Sequence, residues 1–367
     1  MSSRILPVLA PALCLAAFPA FSEDLTFTHP SGATVKFYGQ IVPTYQSVDD
    51  GEQTYDSVVD NSNSSSRVGM WVDVPNGENL LRFNLEVSLG LKNTADTSQT
   101  EDEDWIDWQR TDIRKLEGVY SGNFGAIWFG QGSMATDGAA EIDNSGTSLA
   151  GYANLPDTAG GFEFRDGAAL SGISIGDVFK DFDGGRRFRI RYDTPDFSGF
   201  TFSAAYGQEV LAEDDDADYY DAALRYAYQN DMIEADAALG YAWKNDEDTT
   251  EQLIASGSLT HLPSGMNLTL ATGDGKDDAG SYGYVKLGWS GDLWDYGKTA
   301  VSIDYFDGSD YVSAGSESKS WGVQAVQTFA EQNIDAYIGY REFAYDDETD
   351  ADYQDMSAFL MGMRWKF

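Results

Sequence analysis

The chain ends with the stretch SAFLMGMRWKF, Ser357 to Phe367, in which large apolar residues recur at every second position. The positions of this alternation are Phe359, Met361, Met363, Trp365 and Phe367. Successive side chains of a β-strand point to opposite faces, so the pattern predicts a strand with one apolar face. The last residues of most soluble domains are poorly ordered. A two-faced strand that ends in an aromatic residue therefore predicts that the C-terminus is held within a sheet.

The first residues have the features of a secretory signal peptide. Arg4 precedes an apolar stretch, and Ala20-Phe21-Ser22 forms a small-x-small cleavage site. This pattern predicts that residues 1–22 are removed on export and that residues 23–367 form the mature protein as a single domain. Cys14 is the only cysteine of the chain, so the mature protein is expected to fold without disulfide bonds.

The composition is acidic and rich in aromatic residues and glycine. The 367 residues carry a formal net charge of -38, 14% of them are aromatic and 38 are glycine. This charge opposes nucleic-acid binding, which depends on Lys and Arg contacts to phosphates. After the signal, the sequence has no run of 18 or more apolar residues that would predict a transmembrane helix. An exported chain of this composition is instead typical of a transmembrane β-barrel, in which only alternate residues face lipid.

Alternation with a period of two recurs along the mature chain. We identify sixteen such segments, near residues 33–48, 64–75, 79–92, 111–121, 124–132, 184–195, 199–209, 219–229, 231–244, 251–262, 265–274, 280–290, 298–307, 318–330, 332–344 and 355–367. Most have about ten residues, which is the length of a tilted membrane strand. The connections alternate between short turns and long acidic loops, the first long one being DDGEQTYDSVVDN at residues 49–61. These features predict an all-β fold, a 16-stranded antiparallel transmembrane β-barrel.

A soluble β-sandwich or β-propeller is the alternative fold, because these also contain alternating strands. Neither accounts for the regular succession of short and long connections, and the sequence shows no fixed-period repeat of the kind a propeller has. The longest connection runs from about Ser133 to Gly184. A loop of this length is usually functional.

Four stretches and the C-terminus resemble the general diffusion porins of Gram-negative bacteria. The stretches are VKFYGQIVPTYQ (Val35–Gln46), NSSSRVGM (Asn63–Met70), GNFGAIWFGQG (Gly122–Gly132) and YDTPDFSGFTF (Tyr192–Phe202). They are similar to the family's first, second and fifth strands and to the turn between strands six and seven. The resemblance implies a homotrimeric 16-stranded barrel in outer-membrane lipid and lipopolysaccharide, with a water-filled lumen for small hydrophilic solutes. It also implies that the barrel assembly machinery recognises the aromatic C-terminal strand.

The resemblance further implies that the long third loop folds into the lumen and narrows it. Three acidic residues follow the fifth strand, and they are candidates for the acidic side of this constriction: Asp137, Glu141 and Asp143. The remainder of the loop is rich in glycine and small apolar residues, which suits packing against an inner wall.

Five arginines are candidates for the basic side of the pore, namely Arg67, Arg82, Arg187, Arg189 and Arg191. The last three alternate with apolar residues in RRFRIRYD, and arginine facing lipid costs about 2–4 kcal/mol at mid-depth, which favours the lumen. Arg82 points inward by the same alternation, and Arg67 resembles the family's second-strand arginine. Lys36 and Arg114 are further candidates. In the alternative reading, these arginines pair with carboxylates and only stiffen the wall.

A basic wall that faces acidic loop residues creates a transverse field, which orients dipolar solutes and sets ion selectivity. Gln40 and Gln131 occupy positions that are often basic in the family. Together with the net charge of -38, this favours mild cation selectivity.

The long connections carry acidic clusters such as EDEDWID, AEDDDADYYD and YDDETDADYQD. Oxygen-rich loops of this kind suit Ca²⁺ or Mg²⁺, which would bridge them to anionic lipopolysaccharide. A solvated, mutually repelling surface is the alternative. No other cofactor is expected.

The sequence does not indicate an enzyme. The two histidines, His29 and His261, lie in the N-terminal tail and beside a turn, with no recognisable Ser–His–Asp arrangement. Two other functions remain open beside a diffusion porin. A substrate-specific channel would use an aromatic track, for which the inward candidates are Tyr38, Trp71, Tyr282, Tyr284 and Tyr337. A structural or adhesive barrel would have its lumen plugged by the third loop.

Overall fold

The computed structural model describes residues 25–100, 104–213, 215–246, 249–276 and 279–367. The predicted signal peptide lies outside the described residues. The strands in these ranges are β1 (Thr26–Thr28), β2 (Thr34–Ile41), β3 (Pro43–Asp49), β4 (Thr54–Asp60), β5 (Arg67–Asn76), β6 (Asn79–Ser88), β7 (Ile113–Gly122), β8 (Gly125–Ser133), β9 (Glu163–Asp166), β10 (Ala169–Ser174), β11 (Arg186–Asp193), β12 (Phe200–Gln208), β13 (Asp218–Gln229), β14 (Ile233–Asn245), β15 (Thr249–His261), β16 (Met266–Gly275), β17 (Ser281–Trp294), β18 (Gly297–Ser309), β19 (Glu317–Phe329), β20 (Ile334–Asp346) and β21 (Met356–Lys366).

The helices of the described ranges are short. Two α-helices, α1 (Pro156–Ala159) and α2 (Ile175–Val178), lie between β8 and β11 together with the hairpin of β9 and β10. Single 3-10 turns occur at Ser62–Ser64, Arg110–Asp112 and Ala330–Gln332. Within the described residues, no helix is long and apolar enough to span a membrane.

The remaining strands form one closed antiparallel sheet. From β5 onward each barrel strand pairs with the next along the chain, and β8 pairs with β11 across the intervening loop. The first barrel strand consists of β2 and β3, and the second consists of β4 and β5. The last strand closes the barrel, because β21 pairs with β3 from Ser357↔Asp49 to Gly362↔Thr44. The predicted barrel of sixteen strands is therefore confirmed.

Side chains alternate across the barrel wall as the sequence pattern predicts. On β18, Ile303 is 51% exposed whereas the neighbouring Asp304 is 3% exposed. On β21, Met361 and Trp365 are 41% and 47% exposed, whereas Leu360 is 1% exposed. The outer face is therefore apolar and suited to hydrocarbon, while most polar groups of the strands point inward.

The second barrel strand departs from the sequence prediction. Residues 49–61 are not a long loop, because Thr54–Asp60 form β4 and pair with β3 in antiparallel register. Tyr55 points inward and packs edge-on against Phe162, with 5.7 Å between the ring centroids. Asp56 on the same strand is exposed. Its acidic residues made this short two-faced strand look like a loop.

Both ends of the described chain meet on the same edge of β2. The N–H of Phe37 donates to the carbonyl of Leu25 (2.9 Å), and Gly39 exchanges backbone hydrogen bonds with Phe367 (3.0 and 3.1 Å). The short strand β1 therefore continues the ladder of β21 and covers backbone groups that would otherwise form an open edge.

Candidate pore constriction

The third loop, residues 134–185, connects β8 to β11 and is held at both ends by carboxylates. Asp221 of β13 accepts hydrogen bonds from the backbone N–H (2.7 Å) and the hydroxyl (2.6 Å) of Thr136. Near the returning end, Asp183 accepts a hydrogen bond from the N–H of Gly138 (2.6 Å). The first contact ties the loop to the wall, and the second ties its two arms to each other.

An apolar cluster fixes the middle of the third loop. Phe179 is fully buried, and its ring lies 5.4 Å from the rings of Phe306 on β18 and Phe343 on β20. Phe162 and Leu155 belong to the same buried cluster. Burying one large apolar side chain contributes about 1.5–3 kcal/mol. The loop is therefore packed against inward-facing side chains of the wall.

A buried ion pair adds a polar anchor at β17. The ammonium of Lys286 is fully buried and lies 2.7 Å from Oδ2 of Asp143. It also donates to the carbonyl of Gly151 (2.7 Å). Although burial alone would raise the pKa of Asp143, the charge of Lys286 lowers it below its usual value. Asp143, a candidate for the acidic side of the pore, thus lies in a loop-to-wall contact.

Further hydrogen bonds trace the course of the third loop along the wall. The hydroxyl of Thr147 lies 2.7 Å from that of Ser302 on β18. Asn61, which follows β4, donates to the carbonyl of Leu149 (2.9 Å). Gln46 of β3 donates to the carbonyl of Thr158. The loop therefore contacts the inner face of the wall from β13 round to β3 and β4, whereas β5 to β8, β11 and β12 form the remaining sector.

A cavity of about 610 Å³ lies between this sector and the third loop. Its basic side chains are Arg67 of β5, Arg114 and Lys115 of β7 and Arg186 of β11. Its acidic side chains from the third loop are Asp137, Glu141, Asp157, Asp181 and Asp183, and Asp60 and Asp112 also line it. Serine and asparagine residues complete the lining together with Tyr152, Leu91 and two glycines. The wall sector therefore supplies the cations, and the third loop supplies most of the carboxylates.

Burial raises the pKa values of several loop carboxylates. The pKa of Asp181 is raised to about 6, and that of Asp183, which also faces the charge of Asp181, to about 8. Burial, with the charges of these two residues, raises the pKa of Glu141 well above its usual value. Part of the acidic side of the cavity therefore holds protons near neutral pH, and the negative charge of these buried carboxyls grows as the pH rises.

The structure brings some of the sequence candidates together and separates others. Arg67, Asp137 and Glu141 all line the cavity. Arg82 lies on β6 and forms an ion pair with Asp73 on β5, with 2.6 Å between Nε and Oδ1. Neither Arg82 nor the candidate Lys36 of β2 is among the described residues that line the cavity.

The three arginines of β11 face inward, as the alternation predicts, but they lie outside the described lining of the cavity. Arg189 is 2% exposed, and its Nη2 lies 2.5 Å from Oε2 of Glu117. Arg191 lies 2.7 Å from Asp193, and Arg187 also forms an ion pair. These side chains therefore occupy paired positions within the wall, and their effect on ion flow stays a prediction.

Sequence reasoning missed Lys115 and Arg186 on the wall and Asp157, Asp181 and Asp183 on the loop. A register shift explains Lys115: Glu86 of β6 pairs with Lys115, but the next residue, Val87, pairs with Ile113. Arg114 is thus an extra residue at a β-bulge, and bulges re-aim side chains. Both Arg114 and Lys115 reach the cavity, which strict alternation does not allow. No local sequence pattern marks the three loop acids as cavity residues, because their positions depend on the path of the loop.

Solved structures share this barrel. An anion-selective porin from Comamonas acidovorans is 17% identical, with 91% of this chain and 100% of that chain covered and a TM-score of 0.60. Salmonella typhi OmpF in complex with daunomycin is 14% identical, with 93% and 100% covered and a TM-score of 0.59. Vibrio cholerae OmpT, expressed in the outer membrane, is 14% identical, with the same coverage and a TM-score of 0.57. At these identities the likeness shows the fold.

Sequence comparison identifies the family. No curated protein sequence gives a significant match to the chain. A family model described as Gram-negative porin matches residues 9–348, which is most of the chain. This match and the closed barrel lead to one conclusion: the chain belongs to the Gram-negative porin family and is a multi-pass β-barrel of the outer membrane.

Proposed function

We propose that this porin is a channel for passive diffusion of small hydrophilic solutes and ions, with mild cation selectivity. The observation that carries the proposal is the cavity of about 610 Å³ beside the third loop, with its polar and charged lining. The lining has seven carboxylates and four cationic side chains among the described residues. Rings of charged side chains set ion selectivity in channels, so this excess of acid favours cations once the carboxylates are ionised.

The separation of charge across the cavity gives the channel a second property. Cations on the wall sector face carboxylates on the third loop, which creates a field across the passage. A dipolar solute gains energy by aligning with that field, whereas an apolar solute must displace water from charged groups. The passage therefore favours polar solutes over apolar ones of the same size.

The proposal includes a homotrimer in contact with lipopolysaccharide, assembled by the barrel assembly machinery. One structural neighbour, OmpT of Vibrio cholerae folded in vitro, has been solved in a trimer form. Calcium or magnesium at the acidic outer loops remains part of the proposal. Within the described ranges, no group of three or more His, Cys, Asp or Glu residues has a metal-binding arrangement, so this part depends on direct binding measurements.

A substrate-specific channel is less well supported than a diffusion porin. Three of the aromatic residues considered for a lumenal track, Tyr282, Tyr284 and Tyr337, are 3–4% exposed. They pack in the apolar clusters that hold the third loop. They therefore do not provide an accessible stacking surface for a passing sugar.

Single-channel recording in a planar bilayer under a KCl gradient tests the proposal. The refolded mature protein should give large ohmic openings that close in three steps, with a reversal potential of the sign for cation selectivity. An anion-selective reversal potential would overturn the selectivity. Silence from correctly folded protein would favour a plugged barrel, and currents that saturate with one solute would favour a substrate-specific channel.

A further inference from the structure

The second barrel strand is interrupted at the level of the cavity. Between β4 and β5, residues 61–66 (sequence NSNSSS) leave the sheet and include a single 3-10 turn, Ser62–Ser64. We call this segment the ledge. The first barrel strand is interrupted at the same level, where Val42 separates β2 from β3 and donates its N–H to the hydroxyl of Ser66 (2.9 Å).

The ledge is held in place by side chains of neighbouring strands. Asp60, at the end of β4, accepts hydrogen bonds from the N–H and the hydroxyl of Ser66, both at 2.6 Å. The amide of Gln40 on β2 donates to the carbonyls of Ser64 (2.8 Å) and Ser65 (2.9 Å). Because these contacts hold Ser64, Ser65 and Ser66 against β2 and the end of β4, the ledge is a fixed part of the wall.

The ledge touches the third loop. The hydroxyl of Ser62 donates to Oδ1 of Asp157 (2.8 Å), and the hydroxyl of Tyr152 donates to Oδ2 of the same carboxylate (2.6 Å). Asn61 is fully buried and donates to the carbonyl of Leu149 (2.9 Å). The cavity is therefore enclosed by the loop on one side, by the wall sector on the other, and by the ledge where the two meet.

Four ledge residues, Ser62, Asn63, Ser64 and Ser65, line the cavity. They present hydroxyl and amide groups between the cations of β5 and β7 and the carboxylates of the third loop. We propose that the ledge is a second constriction element, which sets the cross-section and the ion selectivity of the passage together with the third loop. This inference rests on the proposed channel function and assigns part of its selectivity to residues outside the third loop.

Cysteine accessibility in the working channel tests the proposal. The only natural cysteine is Cys14, in the predicted signal peptide, so a single introduced thiol can be modified alone. Asn63→Cys and Ser65→Cys place thiols on the ledge. Ser47→Cys, on β3, is the matched control, because Ser47 alternates with the buried Gln46 and Val48 and faces the outside of the barrel.

Each folded variant is recorded before and after addition of a cationic methanethiosulfonate, and then of an anionic one. We expect the cationic adduct on the ledge to lower single-channel current in steps and to shift the reversal potential toward anions. The anionic adduct should also lower the current but shift the potential toward cations. The Ser47→Cys channel should show neither change.

Two results would overturn the inference. In one, mass spectrometry shows complete modification of both ledge thiols while current and reversal potential stay unchanged. In the other, both ledge thiols stay unreactive in conducting channels. A wild-type protein that is folded but silent is a different failure, because it removes the proposed channel function itself and the inference with it.

Discussion

The buried pair of Lys286 and Asp143 offers the sharpest test of how the third loop is held. The side chain of Lys286 is 0% exposed and that of Asp143 is 3% exposed, with 2.7 Å between their charged atoms. Asp143→Asn keeps the shape of the side chain but leaves the lysine without its counter-charge. Removing one partner of a buried ion pair costs about 3–5 kcal/mol. We therefore expect Asp143→Asn to lower the free energy of unfolding by about that amount.

Urea unfolding of the protein in phospholipid vesicles, followed by tryptophan fluorescence, measures this loss. The double variant Lys286→Met with Asp143→Leu removes both charges, and it should be near wild type, because apolar replacement of a whole buried pair is often neutral or stabilising. Asp73→Asn is the matched control. It breaks a pair whose side chains are 40% and 25% exposed, so it should cost only about 0–1 kcal/mol.

Single-channel recordings should also show that the third loop is held less firmly in Asp143→Asn. A loop released from β17 is expected to give noisier openings and more frequent brief closures in the Asp143→Asn channel than in the Asp73→Asn channel. The reasoning would be refuted if Asp143→Asn were no more destabilising than Asp73→Asn. It would also be refuted if the double variant lost as much stability as the single one.

Other perturbations test the electrostatics of the cavity and the packing where the two ends of the barrel meet. Because burial raises the pKa of Asp181 to about 6 and that of Asp183 to about 8, cation selectivity in a KCl gradient should increase from about pH 5 to about pH 9. The folded state holds these protons more tightly than the unfolded state, so the same rise in pH should lower the free energy of unfolding; an unchanged reversal potential would contradict the assignment. Among the described residues, the side chain of Arg186 lines the cavity and forms no ion pair or hydrogen bond, so Arg186→Gln should increase cation selectivity with little loss of stability. Lys298→Gln, on the exposed surface, is the control and should change neither the reversal potential nor the urea midpoint. A Cβ at Gly39 would lie 2.5 Å from Cζ of Phe367 and 2.9 Å from the carbonyl of Arg67. Gly39→Ala should therefore cost about 1–3 kcal/mol by overpacking. Gly283→Ala, where no described residue lies within 4 Å of the added Cβ, should leave the urea midpoint higher than that of Gly39→Ala.

Strand number and strand facing could be read from the sequence, because both follow from a local period of two. The alternation on β21 identified Met361 and Trp365 as outward residues, and both are exposed. The same rule turned Arg189 inward, where it is buried. Lipid and lumen impose opposite demands on neighbouring residues, so each strand carries its own orientation in its sequence.

The exceptions arose where backbone pairing departs from that local rule. The acidic stretch before residue 61 conceals β4, because this short strand carries Asp56 on its exposed face and Asp60 at its buried end. The bulge at Arg114 brings two consecutive side chains to the cavity. Such features depend on how one strand pairs with another, which the period of two within a single strand does not show.

The constriction itself was decided by tertiary structure. The sequence indicated that a long loop with acids faces basic residues, but not which charges remain available to the passage. Asp143 is paired with Lys286, and Arg189 is paired with Glu117, whereas Asp181 and Arg186 line the cavity. Whether a charged side chain can act on a passing ion depends on how near the closest opposite charge of the protein lies. Only the path of the third loop round the wall sets those distances.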